Sequence, residues 1–133
     1  MSNTDLSQLA IRYSQAWAKH DPDAIVALHT DDTVFHMHDV TEPASGRDAV
    51  RAAIVEIFAQ IPDLHFQSRR VLFGDAHFLS EYEMRGTADG RTFACAGVDI
   101  FTVRDGLIAR KDTYADWLAY QQQVMQTEEA VQV

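Results

Sequence analysis

The sequence has one cysteine, few basic residues and no long apolar run, and each shortage excludes a class of protein. The single Cys95 cannot close an intramolecular disulfide and leaves no second thiol for a cysteine-based zinc site, which fits a reducing cytoplasm. Eleven Lys and Arg stand against 20 Asp and Glu, a net charge of −9, so the clustered cationic field that holds nucleic acid is missing. No stretch reaches the ~18 apolar residues of a membrane span. The opening MSNTDLSQLAIRYSQAW lacks the basic start and continuous apolar stretch of an export signal. The expected protein is cytoplasmic, with neither nucleic acid nor a membrane as partner.

What is present is an ordinary globular content. The chain has 133 residues, 47% of them hydrophobic, enough for one domain with a core and room for a pocket. Leu6, Leu9, Ala10, Tyr13, Ala16 and Trp17 recur at helical steps, which predicts a helix over residues 4–19. Asp21 and Pro22 suit the N-cap and first position of a second helix, residues 23–30. Thr33 to His38 reads as a short strand, 41–46 as a loop, and Arg47 to Gln60 as a third helix stopped by Pro62. Four extended stretches follow, 64–73, 77–85, 91–103 and 107–114, separated by Gly74-Asp75, Asp89-Gly90 and Asp105-Gly106. Asp-Gly is a strong hairpin signal, so an antiparallel meander is expected. A short closing helix is expected over 117–127, within a single domain of residues 1–127, with 128–133 as a frayed tail. Helices followed by hairpin-linked strands describe an α+β domain in which a curved sheet closes over the helices as a cone.

This order of elements, with the stretches from Ile11 to Tyr13, His20 to Leu28, Asp31 to Thr33, Glu42 to Gly46, Val98 to Phe101, Arg104 to Ile108 and Asp112 to Asp116, resembles the nuclear-transport-factor-2-like superfold, in its SnoaL-like and ketosteroid-isomerase-like branch. The superfold hosts isomerases, cyclases, dehydratases, epoxide hydrolases and non-catalytic proteins. The resemblance implies a small-molecule pocket and no cofactor or metal, and suggests a homodimer through the outer face of the sheet. In ketosteroid isomerases a helix-one tyrosine and a strand aspartic acid donate hydrogen bonds to an enolate oxygen, and a first-strand aspartate moves the proton. Tyr13 and Asp99 match the two donors. Ungapped matching between Asp21 and Gly46 places Met37, which cannot accept a proton, at the base position. The Arg/Asp/Asp set of the epoxide hydrolases is not matched, since Ser80, Tyr82 and Thr113 stand near those places.

Strand alternation sorts the other candidates. If Asp99 faces inward, so do Phe93, Cys95, Gly97, Phe101 and Val103, together with Phe35, Met37 and Asp39 on the first strand and Lys111, Thr113 and Ala115 on the last. Asp112 and Tyr114 then face outward. Tyr13 is either a pocket donor or an amphipathic core residue. Asp99, between Val98 and Ile100, must be neutral, hydrogen-bonded or paired, with Lys111 as a partner. With Met37 in the base position, Asp39, His36 or His38 is left to carry the proton, although parity turns both histidines away from Asp99 and a metal site lacks a third ligand. Lys111 is a binder of an anionic group, a base if its pKa falls, or the salt-bridge partner of Asp99. Trp17, Phe35, Met37, Phe58, Cys95, Phe101 and Lys111 are the expected substrate-binding residues. The function expected is binding, or enolisation, of an apolar carbonyl compound such as a steroid, polyketide or terpenoid. The alternatives are a non-catalytic binding module and a SnoaL-like polyketide cyclase.

Overall fold

A computed structural model of the chain describes residues 3–125; the expected tail at 128–133 lies outside them. Helix α1 (Asn3–Ala18) buries Leu6, Leu9, Tyr13, Ala16 and Trp17, the face its spacing predicts. Helix α2 (Pro22–Val26) starts as expected: the Asp21 carboxylate accepts from the Ala24 N–H at 3.1 Å, and Pro22 loses no bond at the first position. It ends four residues sooner than expected, because His29 already belongs to strand β1 (His29–Met37). Ala44–Ser45 forms a two-residue strand, β2, in the segment read as loop, and α3 (Arg47–Gln60) follows with the expected bounds.

Strands β3 (His65–Phe73), β4 (His77–Ala88), β5 (Arg91–Arg104) and β6 (Leu107–Ala115) form the antiparallel meander. Both Asp-Gly turns have positive φ at both residues, 51° and 75° at Asp89-Gly90, 54° and 78° at Asp105-Gly106, as tight primed turns require. The short helix α4 (Trp117–Val124) is capped by Asp116, whose carboxylate accepts from the Ala119 N–H. The sheet order is β2-β1-β6-β5-β4-β3, and β1 lies parallel to β6. That one parallel pairing joins segments about 75 residues apart and was not legible in the hairpin pattern.

Helix α1 packs against β3 and β4, α3 against β1 and β2, and α4 against β5. The concave face of the curved sheet and the helices enclose the apolar interior, so the architecture is the expected NTF2-like α+β cone. On β5 the odd positions Phe93, Cys95, Gly97, Asp99, Phe101 and Val103 are all buried, as alternation predicts. The β5–β6 ladder shifts between Thr102 and Val103, which pair with Arg110 and Ile108 and leave Ala109 unopposed. This bulge lets Ile108 and Lys111 both face inward although they are three residues apart.

Candidate functional site

Two adjoining cavities occupy the cone. The larger, about 560 Å³, lies between α1 and strands β3 to β5, and the smaller, about 240 Å³, lies between β1, α3 and α4. Trp17, Phe66, Tyr82, Asp99 and Lys111 border both, so the two are lobes meeting at a common wall. The combined space is the size that holds a small organic molecule, and apart from that wall it is lined mainly by apolar side chains.

The polar centre of the wall is a buried ion pair. Lys111 pairs across the ladder with Phe101, and Asp99 with Thr113, so Lys111 and Asp99 are diagonal neighbours on the inner face. Lys111 Nζ lies 3.7 Å from Asp99 Oδ2, with Lys111 only 4% exposed and Asp99 7%. The other carboxylate oxygen, Oδ1, accepts from the Tyr82 hydroxyl at 2.9 Å and from the Thr113 hydroxyl at 2.7 Å. Oδ1 thus accepts two hydrogen bonds and Oδ2 faces the Lys111 ammonium, the geometry of the salt-bridge alternative, where the isomerase resemblance implies a neutral, hydrogen-donating Asp99. Burial and the adjacent Asp99 charge push the Tyr82 hydroxyl far above its ordinary value, so it stays a donor.

The ammonium also sits among aromatic rings. Nζ is 4.1 Å from the centre of the Trp17 ring, 5.0 Å from Phe35, 5.1 Å from Tyr13 and 5.6 Å from Phe101. Each face attracts a cation, more strongly when water is excluded. Against these attractions, burial pulls the Lys111 pKa down, and Asp99 opposes the fall. Trp17 Nε1 is buried near the Tyr13 oxygen without completing a hydrogen bond to it or to any other described residue. An unsatisfied buried donor on the wall of a cavity is a place for an acceptor on a ligand.

Tyr13 and Asp99 border the same lobe, but they do not point two donors at one place. The Tyr13 hydroxyl lies 3.0 Å from His29 Nε2, whose Nδ1 is 2.8 Å from the Thr33 hydroxyl. Burial foremost, then the Lys111 and Arg47 charges, hold His29 down at a pKa of about 3, so its ring is neutral. The proposed oxyanion donor is thus tied into a core network, and Tyr13 meets Lys111 through its ring.

The three suggested proton carriers are elsewhere. Asp39 lies beyond β1 at φ 68°, and neither it, His36 nor His38 borders either lobe. His38 Nε2 is 2.8 Å from Asp112 Oδ1 and its ring stacks on Tyr114 at 4.1 Å, on the outer face predicted by parity. The His36 and His38 rings are 3.8 Å apart, and with Asp112 they are the described residues that could gather round a metal ion, their ligand atoms lying within 4.8 Å of one another. Arg110 already donates to both oxygens of Asp112 at 2.8 and 2.9 Å.

Among the expected binding residues, Trp17 and Lys111 border both lobes, Phe101 the larger, and Phe35 and Met37 the smaller. Phe58 does not reach the cavity; it stacks on His20 at 4.2 Å and backs Trp17 at 5.3 Å. Cys95 is also outside the lining, and burial followed by the Asp116 charge pushes its thiol up to about 11, which makes it inert. Sequence reasoning missed Tyr82 and Thr113 as the partners of Asp99. A signal was available in Gly97: a β-carbon there would lie 2.6 to 2.8 Å from Tyr82 ring and hydroxyl atoms, so the glycine makes room for the tyrosine to cross β5.

The fold and the chain's residues have relatives. No curated protein matches the chain. Among solved structures, an NTF2-like protein of unknown function from Burkholderia pseudomallei superposes with a TM-score of 0.84 at 17% identity, covering 93% of this chain and 98% of its own. A candidate SnoaL-like polyketide cyclase from Jannaschia sp. CCS1 gives 0.84 at 18% identity, covering 93% and 95%. A hypothetical protein of ketosteroid-isomerase-like fold from Catenulispora acidiphila, in complex with trimethylamine, gives 0.81 at 18% identity, covering 88% and 92%. At these identities the likeness is one of fold. The family model of the SnoaL-like domain matches residues 10–111, from the middle of α1 to the lysine at the centre of the cavity, and the chain belongs to the SnoaL-like domain family.

Proposed function

We propose that the cavity binds a small, largely apolar carbonyl compound of steroid, polyketide or terpenoid type and promotes its enolisation, as an isomerase or a cyclase does. The observation that carries this reading is the Lys111–Asp99 pair at the junction of two lobes lined mainly by apolar side chains. An apolar ring system fills the lobes by the hydrophobic effect. Its oxygen is directed to the wall, where the Lys111 ammonium and the unsatisfied Trp17 N–H are the available donors. A fixed cation in a water-poor site stabilises developing negative charge on that oxygen. Asp99 Oδ2, which the Tyr82 and Thr113 hydroxyls leave facing Nζ, is the carboxylate placed to move a proton. Lys111 thus takes the part the sequence reading gave to Tyr13, and Asp99 becomes a base instead of a donor.

The test is conversion of a β,γ-unsaturated ketone to its conjugated isomer, followed by absorbance, in the wild type and in Lys111→Met and Asp99→Asn. Each variant is expected to lose about 100-fold or more of the rate. Equal turnover in all three proteins would overturn the assignment. Met37, at the family's base position and lining the smaller lobe, favours a second reading, a binder without turnover. Saturable quenching of tryptophan fluorescence by the ketone with no conversion would establish that reading instead.

A further inference from the structure

The enolisation reading uses Lys111 as a fixed charge, yet its placement suits more than that. The chain has two lysines, and they stand in opposite settings. Lys19, just past α1, is exposed, whereas Lys111 is 4% exposed and borders both lobes from the inner surface of β6. An amine held at a cavity wall, excluded from water and 3.7 Å from a carboxylate has the setting in which lysine acts as a nucleophile toward carbonyl groups.

We propose that Lys111 captures an aldehyde or ketone covalently in this cavity, as a protonated imine. The proposal rests on the carbonyl-binding reading above and adds a bond to it. The Lys111 ammonium first gives a proton to Asp99 Oδ2, and the freed Nζ lone pair attacks the carbonyl carbon while the carbonyl oxygen takes that proton back from Asp99. The resulting carbinolamine loses a second proton from nitrogen to Asp99. Its hydroxyl then leaves with that proton as water while the nitrogen lone pair forms the C=N bond. Ammonium and carbonyl compound thus become iminium and water, with no oxidant or reductant needed and no net change in charge.

Conservation of charge is why this site suits the reaction. The positive charge begins and ends on the same nitrogen, so Asp99 and the rings of Trp17, Phe35, Tyr13 and Phe101 that surround the ammonium also surround the iminium. Only the transient neutral amine and neutral carbinolamine forgo those attractions, and the burial that lowers the Lys111 pKa favours uncharged nitrogen. Once formed, the iminium withdraws electrons from the α-carbon more strongly than the carbonyl did, which deepens the enolisation chemistry by an enamine route.

The two-lysine composition makes the test internal to the wild-type protein. The protein is incubated with 2-naphthaldehyde and sodium cyanoborohydride near neutral pH, binding is followed by tryptophan fluorescence, and the reduced adducts are located by peptide mapping. Binding in the cavity holds the aldehyde against Nζ, and such proximity raises a rate many-fold over reaction from free solution. Labelling of Lys111 at least about tenfold faster than the exposed Lys19 is therefore expected, and the Lys111→Met variant should lose the cavity adduct while Lys19 labels as before. Quenching without preferential labelling of Lys111 would overturn the imine and leave carbonyl binding intact. Neither quenching nor adduct at Lys111 would overturn both.

Discussion

Lowering the pH should unfold this protein through one buried imidazole. His29 is fully buried at the start of β1, between the Tyr13 hydroxyl at 3.0 Å and the Thr33 hydroxyl at 2.8 Å, and a neutral ring satisfies both with one donor and one acceptor. Its pKa falls from 6.5 to about 3, chiefly by burial and then by Lys111 and Arg47. As pH drops through 6.5 the unfolded chain takes up a proton at this residue and the folded chain does not. The stability held by the neutral ring is therefore complete above pH 6.5 and is lost between 6.5 and about 3, at about 1.4 kcal/mol per pH unit. Two units below 6.5 the loss is about 3 kcal/mol, on the order of 10 °C in Tm for a domain of this size. Urea unfolding of the wild type and of His29→Gln at about pH 7, 5.5 and 4.5 isolates the effect, because every other titrating group is common to both. The variant should be less stable near neutrality by about 1–3 kcal/mol, since Tyr13 and Thr33 lose a well-placed partner, and the gap should close or invert at the lowest pH. Parallel curves for the two proteins would refute a neutral buried His29.

Two other outcomes follow from the wall of the cavity. Gly97→Ala puts a methyl group within 3 Å of the Tyr82 ring and hydroxyl, so it should cost about 1–3 kcal/mol in denaturant unfolding and dislodge Tyr82 from Asp99; unchanged stability would refute the close packing. Lys111→Met alone leaves the Asp99 carboxylate buried without its cation and should cost about 3–5 kcal/mol, whereas Lys111→Met with Asp99→Asn should recover most of that; simply additive costs would show that the two groups do not form a pair.

The local physics was legible along the chain. The α1 face, the Asp21 and Pro22 helix start, the two Asp-Gly turns and the inward set on β5 depend on neighbours a few residues away, and each stands in the structure where periodicity or turn chemistry put it. Within the polar run from His29 to Asp32, His29 and Thr30 read as the end of a helix and Asp31 and Asp32 as no element, because the partner of the run is remote. His29 enters the strand by pairing in parallel with Ile108 of β6, and the pairing resumes after a shift at Val34, with Phe35 opposite Lys111. The site suffered for the same reason. Parity showed that Asp99 and Lys111 share a face, but choosing between a neutral donor and an ion pair required knowing that Tyr82 and Thr113 both donate to Asp99, through cross-strand register.

By itself the sequence determined the type of protein: an acidic α+β domain of SnoaL-like pattern with Asp99 and Lys111 on the inner face of its sheet. Only the tertiary structure decided how those two side chains are partnered. Burial turns a polar residue into a choice among charge states, and the choice is made by whichever donors and charges the fold brings within a few ångströms. Here it turned Tyr13 toward His29, left Asp39, His36 and His38 outside, and set the Lys111 ammonium among four rings at the meeting point of two cavities.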